Sequence, residues 1–460
     1  MGPNSKSMRR AALICLLISS GIFILWGSYL AAKPPAGMGD FKAVYYGARC
    51  LFDHRDPYNR SEFESVYFAE GGQLPSDPAD WPMFRSAVTV LRNPPSALFV
   101  VAPLAMLPWG VTCALWTMLS AAGLALAAFL MWRVAERRAP RLALLLICFL
   151  IANSIYVIAL GNTAGAAVGL CVIAVWCLME ERFVAAGILC LAVALAIKPH
   201  DAGFVWAYFL LAGGAYRKRA LQTLLVVGVL VLVSILWVSH VSPHWSQELH
   251  ANLLTTEARG TLNDPGPASD HFFAPDMVIN LQSAIAIFRD DPRVYNTATY
   301  LVCGVLLLLG AVRTLRTRFS QSKAWFALAA IAALSMLPVY HRLHDAKLLL
   351  LTLPACAMLW AGGGPLKWTA GLLNTAAIVV TADVPSTILM LIDRSLHGHV
   401  TGFTGKLLDL ILLRPAAPIL LATGILYLWV YLRRTALLKE GASAIQEIQG
   451  VLEQQISLHV

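Results

Sequence analysis

Three short polar stretches in an otherwise apolar chain hold the residue types that could do chemistry. The first runs from Asp40-Phe41-Lys42 through Tyr45-Tyr46 to Arg49 and on to Asp56-Pro57-Tyr58. A carboxylate there can take a proton from a hydroxyl nucleophile, or cap a helix by accepting a backbone N–H. The second is Lys198-Pro199-His200-Asp201, an ammonium between two apolar runs. A charge in that setting is costly unless it reaches water, phosphate or a partner, so it either snorkels to the interface or binds an anionic lipid headgroup. The third is Tyr340-His341-Arg342-Leu343-His344-Asp345-Ala346-Lys347. His341, His344 and Asp345 could share one side of a helical turn and ligate a metal. The spacing is not that of a zinc-protease helix, however, and Arg342 and Lys347 add cationic repulsion. A site for acid–base chemistry and phosphate contacts fits the mixture better, and no metal is expected.

Three weaker signals join them: Asn93 before Pro94-Pro95, Asn162 in Gly161-Asn162-Thr163, and Asn280 with Ser283 in Asn280-Leu281-Gln282-Ser283. Taken singly, each reads as ordinary turn or capping chemistry. Their convergence on one side of the membrane is what makes them site candidates. The elements that must position all of these are helices. Phe41, Val44, Tyr45, Ala48 and Leu51 recur at helical spacing, which predicts an amphipathic helix beginning at Asp40 and lying on the outer membrane face.

Around these stretches the 460-residue chain is 58% hydrophobic and 13% charged, with a mean hydropathy of +0.66. That composition excludes a soluble protein and describes a multi-pass membrane protein, since a helical span takes roughly 20 apolar residues. The net charge of +9 falls in short clusters between apolar runs, as topology signals do, so nucleic acid is not an expected partner. Eight of the nine cysteines lie inside apolar runs and Cys50 alone in a polar one, so no disulfide is expected. The first run, residues 11–30, reads as a retained span with the amino terminus cytoplasmic.

Thirteen apolar runs follow one another from 11–30 to 410–432. Basic clusters at Arg133–Arg141, Arg217–Arg219, Arg313–Lys323 and Arg433–Lys439 are assigned to the cytoplasm. Segments 33–93, 241–295 and 383–409 then face outward, with the turns at Gly161, Lys198 and His341. Both termini read as cytoplasmic, which an odd number of spans forbids. The best candidate for a non-crossing segment is Pro94–Pro108, short and bracketed by prolines. The expected architecture is all-α and polytopic, with about 12 to 13 transmembrane helices and amphipathic helices in the first outer loop. Residues 1–438 form the membrane domain, with a first outer loop at 33–93 and a second at 241–295. Residues 439–460 form a cytoplasmic amphipathic tail.

The order of these elements resembles glycosyltransferase family 87, integral-membrane enzymes of the GT-C superfamily. The resemblance rests on Asp40-Phe41 with Tyr45-Tyr46, Asp56-Pro57-Tyr58, Pro94-Pro95, Pro103-Leu104-Ala105-Met106-Leu107-Pro108, Gly161-Asn162, Lys198-Pro199, Asn280 with Ser283, and the turn from His341 to Lys347. It spans roughly residues 20 to 360. Asn162 stands where Gln is frequent in the family, and Arg55 where a glycine often precedes Asp-Pro-Tyr.

The resemblance implies a GT-C fold and a hexosyltransferase in the cytoplasmic membrane, with its active site facing outward. It implies transfer of a hexose, mannose favoured, from a polyprenyl-phosphate donor to the hydroxyl of a glycolipid or glycan acceptor, with inversion and no cofactor. On that reading Asp40 is the general base and His344 the second catalytic residue. Lys198, Arg342 and Lys347 meet the donor phosphate. His341, Asp345, Tyr45, Tyr58, Asn93, Asn162, Asn280 and Ser283 contact substrate, and Asp345 sets the histidine tautomer. Two other classes compete. A transporter or lipid flippase would place its polar groups near the bilayer midplane rather than at one surface. A ligase using a lipid diphosphate donor would not be expected to carry the Asp40 to Tyr58 element.

Overall fold

A computed structural model describes residues 3–33, 37–261, 263–266, 278–396 and 402–433. The predicted tail at 439–460 lies outside the described residues. The amino-terminal part contains α1 (Pro3–Ala31), α2 (Gly39–Phe52), α3 (Arg60–Ala69), α4 (Trp81–Val88) and α5 (Pro95–Ala105). The middle contains α6 (Trp109–Ala135), α7 (Pro140–Ala152), α8 (Ile155–Ala159), α9 (Thr163–Met179), α10 (Val184–Ile197), α11 (Pro199–Ala212) and α12 (Gly214–Val241). There follow α13 (Trp245–Glu257), α14 (Leu281–Phe288), α15 (Pro292–Arg316), α16 (Gln321–Leu334), a 3-10 stretch Asp345–Thr352, and α17 (Leu353–Gly362). The last helices are α18 (Gly364–Val380), α19 (Asp383–Leu396), α20 (Gly402–Leu412) and α21 (Ala416–Arg433). No strand occurs among the described residues beyond one isolated bridge, Val278 with Arg342.

Each of the thirteen predicted runs contains a helix, but the helices differ in reach. Seven among the described residues are long and apolar enough to cross a membrane, or eight if the bent pair Gly364–Val380 and Asp383–Asp393 counts as one span. At 11 residues, α5 is about 17 Å long against a hydrocarbon core of about 30 Å. Its amino end is tied down where Ser96 Oγ donates to the Ala196 carbonyl at 2.7 Å. The faces of α1, α12 and α15 expose Leu25, Leu225 and Leu301, an outward apolar surface that suits acyl chains rather than water.

The main core lies among α6, α7, α9, α10, α16 and α17. Small residues bring α6 and α9 together, since a side chain at Gly169 would sit 3.0 Å from the Gly123 backbone. A second core belongs to the first loop. There α2 does not lie on a surface as its periodicity predicts: ten of its 14 residues are buried. Phe41 stacks on Trp116 at 4.6 Å, while Tyr46 meets Tyr67 edge-on at 5.0 Å. The loop helices α3 and α4 cover the face that the hydrophobic pattern alone leaves to solvent. The two long loops also grip each other, with Ser242 Oγ donating to Asp56 Oδ2 at 2.5 Å and Asn252 Nδ2 to the Tyr58 carbonyl at 3.0 Å.

Candidate active site

The amino end of α2 meets the end of α8. Met38, in the left-handed region, donates its N–H to the Ala159 carbonyl at 2.8 Å, and Asp40 N donates to the Leu160 carbonyl at 3.0 Å. Neighbouring carbonyls thus satisfy donors that a capping side chain would otherwise take. Asp40 is therefore not the N-cap that its type suggests. Instead its Oδ2 accepts from Asn162 Nδ2 at 2.6 Å, while Asn162 Oδ1 caps α9 by accepting from Ala164 N at 2.8 Å. Gly161 makes this approach possible: its φ is +62°, and a Cβ there would lie 2.6 Å from the Phe41 Cβ. The Gly161 carbonyl accepts from Trp116 Nε1 at 2.9 Å.

Lys198 sits at the break between α10 and α11, which Pro199 opens. The lysine is 9% exposed, and its Nζ donates to Asp345 Oδ1 and lies 3.6 Å from Asp201 Oδ2. The other Asp345 oxygen accepts from the Arg342 N–H at 2.7 Å, closing the turn. Arg342 is buried, packs over the Tyr340 ring, donates to its hydroxyl, and reaches Asn263 Oδ1 at 3.5 Å. From the far side the 278–281 segment braces this turn: Ile279 N donates to the His341 carbonyl and Leu281 N to that of Leu337, both at 3.0 Å.

The two histidines differ. His341 is fully buried, with Nδ1 3.1 Å from the Val339 carbonyl and Nε2 3.3 Å from Asp201 Oδ1. Nε2 makes no hydrogen bond of ordinary geometry, so its contact with Asp201 is electrostatic. Burial opposes the imidazolium, but the Asp201 contact and the Asp345 charge outweigh it and raise the pKa above the ordinary value. His344 is pulled down to about 4 by burial, helped by Lys198 and opposed by Asp345 and Asp40. At neutral pH His344 is neutral, and its buried Nδ1 has no hydrogen-bond partner. Its Nε2 is 3.7 Å from Asp345 Oδ1, too far for that carboxylate to set its tautomer as expected.

Lys198, His341, Arg342, His344 and Asp345 therefore come together with Asp201, and Asp40 pairs with Asn162. Other predicted residues are engaged differently. Lys347 turns to a separate pair, donating to the Asn153 carbonyl at 3.3 Å and lying 3.7 Å from Asp383. Tyr45 and Tyr58 are buried in the aromatic core, their hydroxyls donating to the carbonyls of Leu107 and Asn93 at 2.9 Å. Asn93 uses its backbone for that contact. Asn280 caps α14, with Oδ1 accepting from Ser283 N at 3.0 Å and Ser283 Oγ donating to the Asn280 carbonyl at 2.7 Å. They brace the turn from behind.

Asp201 is the residue that sequence reasoning missed. It is 2% exposed, and neither carboxylate oxygen has a hydrogen-bond partner within ordinary geometry. In the sequence it is only the residue that follows His200 after the Lys-Pro break, and nothing local marks its tertiary partners. Donor atoms of His200, Asp201 and His341 lie within 4.8 Å of one another. This His2Asp set, rather than His341, His344 and Asp345, is the arrangement closest to a metal-ligand set among the described residues. The Lys198 ammonium competes for its carboxylate.

No curated protein matches the chain, and no solved structure does. Residues 92–266 match the model of glycosyltransferase family 87, a stretch that contains Asn162, Lys198 and Asp201 and stops short of Asp40 and the His341 turn. Over that stretch, about two fifths of its length, the chain is similar to glycosyltransferase family 87, and its long apolar helices are those of a multi-pass membrane protein.

Proposed function

We propose that the chain moves a hexose, mannose favoured, from a polyprenyl-phosphate donor to an acceptor hydroxyl at the outer face of the cytoplasmic membrane. The observation that carries this reading is the Asp40–Asn162 contact taken together with the buried Lys198–Asp345 pair. A half-buried carboxylate oriented by an amide is suited to accept the proton of an attacking hydroxyl. The acceptor oxygen then bonds to the anomeric carbon from the face opposite the phosphate, the carbon–oxygen bond to the phosphate breaks, and the configuration inverts. The departing polyprenyl phosphate carries the electron pair.

Lys198 supports that departure. An ammonium has three donors, and Asp345 engages one, leaving others for a phosphate oxygen. Arg342 adds a second cation, and in surroundings this dry each is worth more than in water. His344, neutral and with a free Nδ1, is placed to orient the acceptor hydroxyl. Because positive charge is already built in, the reaction is proposed to need no metal or other cofactor.

The test is incubation of the purified protein in lipid with a panel of labelled polyprenyl-phosphate sugars, followed by linkage analysis of the product. Transfer from a polyprenyl-phosphate hexose with inversion supports the reading, and turnover only with nucleotide or diphosphate donors overturns it. Chelator in the same assay is expected to leave the rate unchanged. Complete loss restored by one divalent ion would instead assign the His200, Asp201 and His341 set to that ion.

A further inference from the structure

We propose that a groove at the opposite end of the bundle binds the phosphate headgroup of an anionic membrane phospholipid. The groove holds about 240 Å³ and is lined by Phe129, Leu130, Arg133, Val134, Arg137, Trp176, Glu180 and Arg182. Its place follows from helix direction: α9 starts at Asn162, in the active site, and its 17 residues end at Met179, about 26 Å along the axis. The groove and the transfer site therefore sit at opposite ends of the same helix.

Its chemistry is layered. Phe129, Leu130, Val134 and Trp176 belong to the apolar helices α6 and α9, while the arginines stand at or beyond the helix ends. Three arginines and one acid, Glu180, line the groove, and Glu180 lies 3.8 Å from Arg137. Arg133 is 3.1 Å from Glu136, which Arg9 also contacts. Arg182 is exposed, and no described acid lies within ion-pair distance of it. The turn presents Arg182 between Glu181 and Phe183, both left-handed, and the Phe183 ring is 70% exposed, as an aromatic anchor at a membrane interface would be. Surplus positive charge above an apolar wall complements a phospholipid, whose phosphate sits above its acyl chains. A soluble anion would have no use for that wall. Guanidinium forks also match phosphate oxygens in geometry.

The full chain, purified in neutral detergent, can be titrated with dioleoylphosphatidylglycerol or dioleoylphosphatidylcholine and bound lipid counted by native mass spectrometry. Wild-type protein is expected to retain phosphatidylglycerol in preference to phosphatidylcholine. Arg137→Gln/Arg182→Gln should weaken that retention on the order of tenfold, while Arg217→Gln/Lys218→Gln, on the same end but outside the groove, should change it less than about twofold. Melting temperatures without added lipid verify that both variants remain folded, and both remove exposed charges only. Equal losses in the two variants, or no preference for phosphatidylglycerol, would overturn the proposal. So would displacement of the lipid by an equal concentration of inorganic phosphate, which would mark a site for a free anion.

Discussion

Asp40 and Asn162 form the contact on which the proposed chemistry turns. Asp40→Asn keeps the size and a polar partner for Asn162 while removing the base, so kcat should fall roughly 10²- to 10⁴-fold with the melting temperature little changed. Retained turnover in that variant would remove Asp40 from the role. Asn162→Asp is the complementary probe. An aspartate still caps α9, so stability should hold, but a second carboxylate against Asp40 Oδ2 raises the pKa of the pair. The acid limb of the kcat profile should therefore move to higher pH. His344 supplies a pH dependence of stability with a definite sign. Its folded pKa of about 4 lies below the ordinary value of 6.5, so the fold favours the neutral ring. The contribution is fully present above pH 6.5 and is lost as pH falls toward 4, by at most about 3 kcal/mol. The drop in melting temperature between pH 7 and pH 4.5 should be smaller in His344→Gln than in the wild type.

Among the elements, the meeting of α2 with the α8–α9 turn is the most exacting. A methyl group at Gly161 would lie 2.6 Å from the Phe41 Cβ, and the residue must keep a left-handed backbone. Gly161→Ala should cost about 1–2 kcal/mol from the backbone alone, and the displaced head of α2 should carry Asp40 off station. Melting temperature and transfer rate should fall together, unlike in Asp40→Asn. A different element-level test concerns Lys347 and Asp383, both 2% exposed, which join the 3-10 stretch to α19. Removing either partner strands a buried charge at a cost of about 3–5 kcal/mol, whereas the double replacement Lys347→Met/Asp383→Leu should recover most of it. If Lys347 served the donor phosphate, the double variant would fold but lose donor use. With the lysine committed to Asp383, donor KM is expected to stay near wild type.

At the scale of the whole molecule, the transfer site and the arginine groove lie at opposite ends of α9, so the chain has two chemically distinct faces. In the proposed orientation the first loop faces outward and the 180–183 turn faces the cytoplasm. An impermeant maleimide applied to right-side-out vesicles should label Arg60→Cys directly and Glu181→Cys only after permeabilisation, each measured against the parent chain. The reverse pattern would invert the orientation. Burial also bears on access. Lys198, His344 and Asp345 are under 10% exposed.

Hydropathy and residue type, read along the chain, mark apolar helices and single out Asp40, Asn162, Lys198 and the His341 turn as candidates. Both are local properties: an apolar run needs no partner to be helical in a bilayer, and a charge stranded between two such runs is anomalous wherever it lies. Partnership is not local. Asp40 meets Asn162 across 122 residues and Lys198 meets Asp345 across 147. Helical periodicity does not say which helix becomes the neighbour. Only the tertiary packing therefore assigned Asp201 to His341, turned Lys347 toward Asp383, and enclosed Tyr45 and Tyr58 in an aromatic core. It also freed Asp40 from capping, because carbonyls of the α8 end occupy the donors that its side chain would have taken.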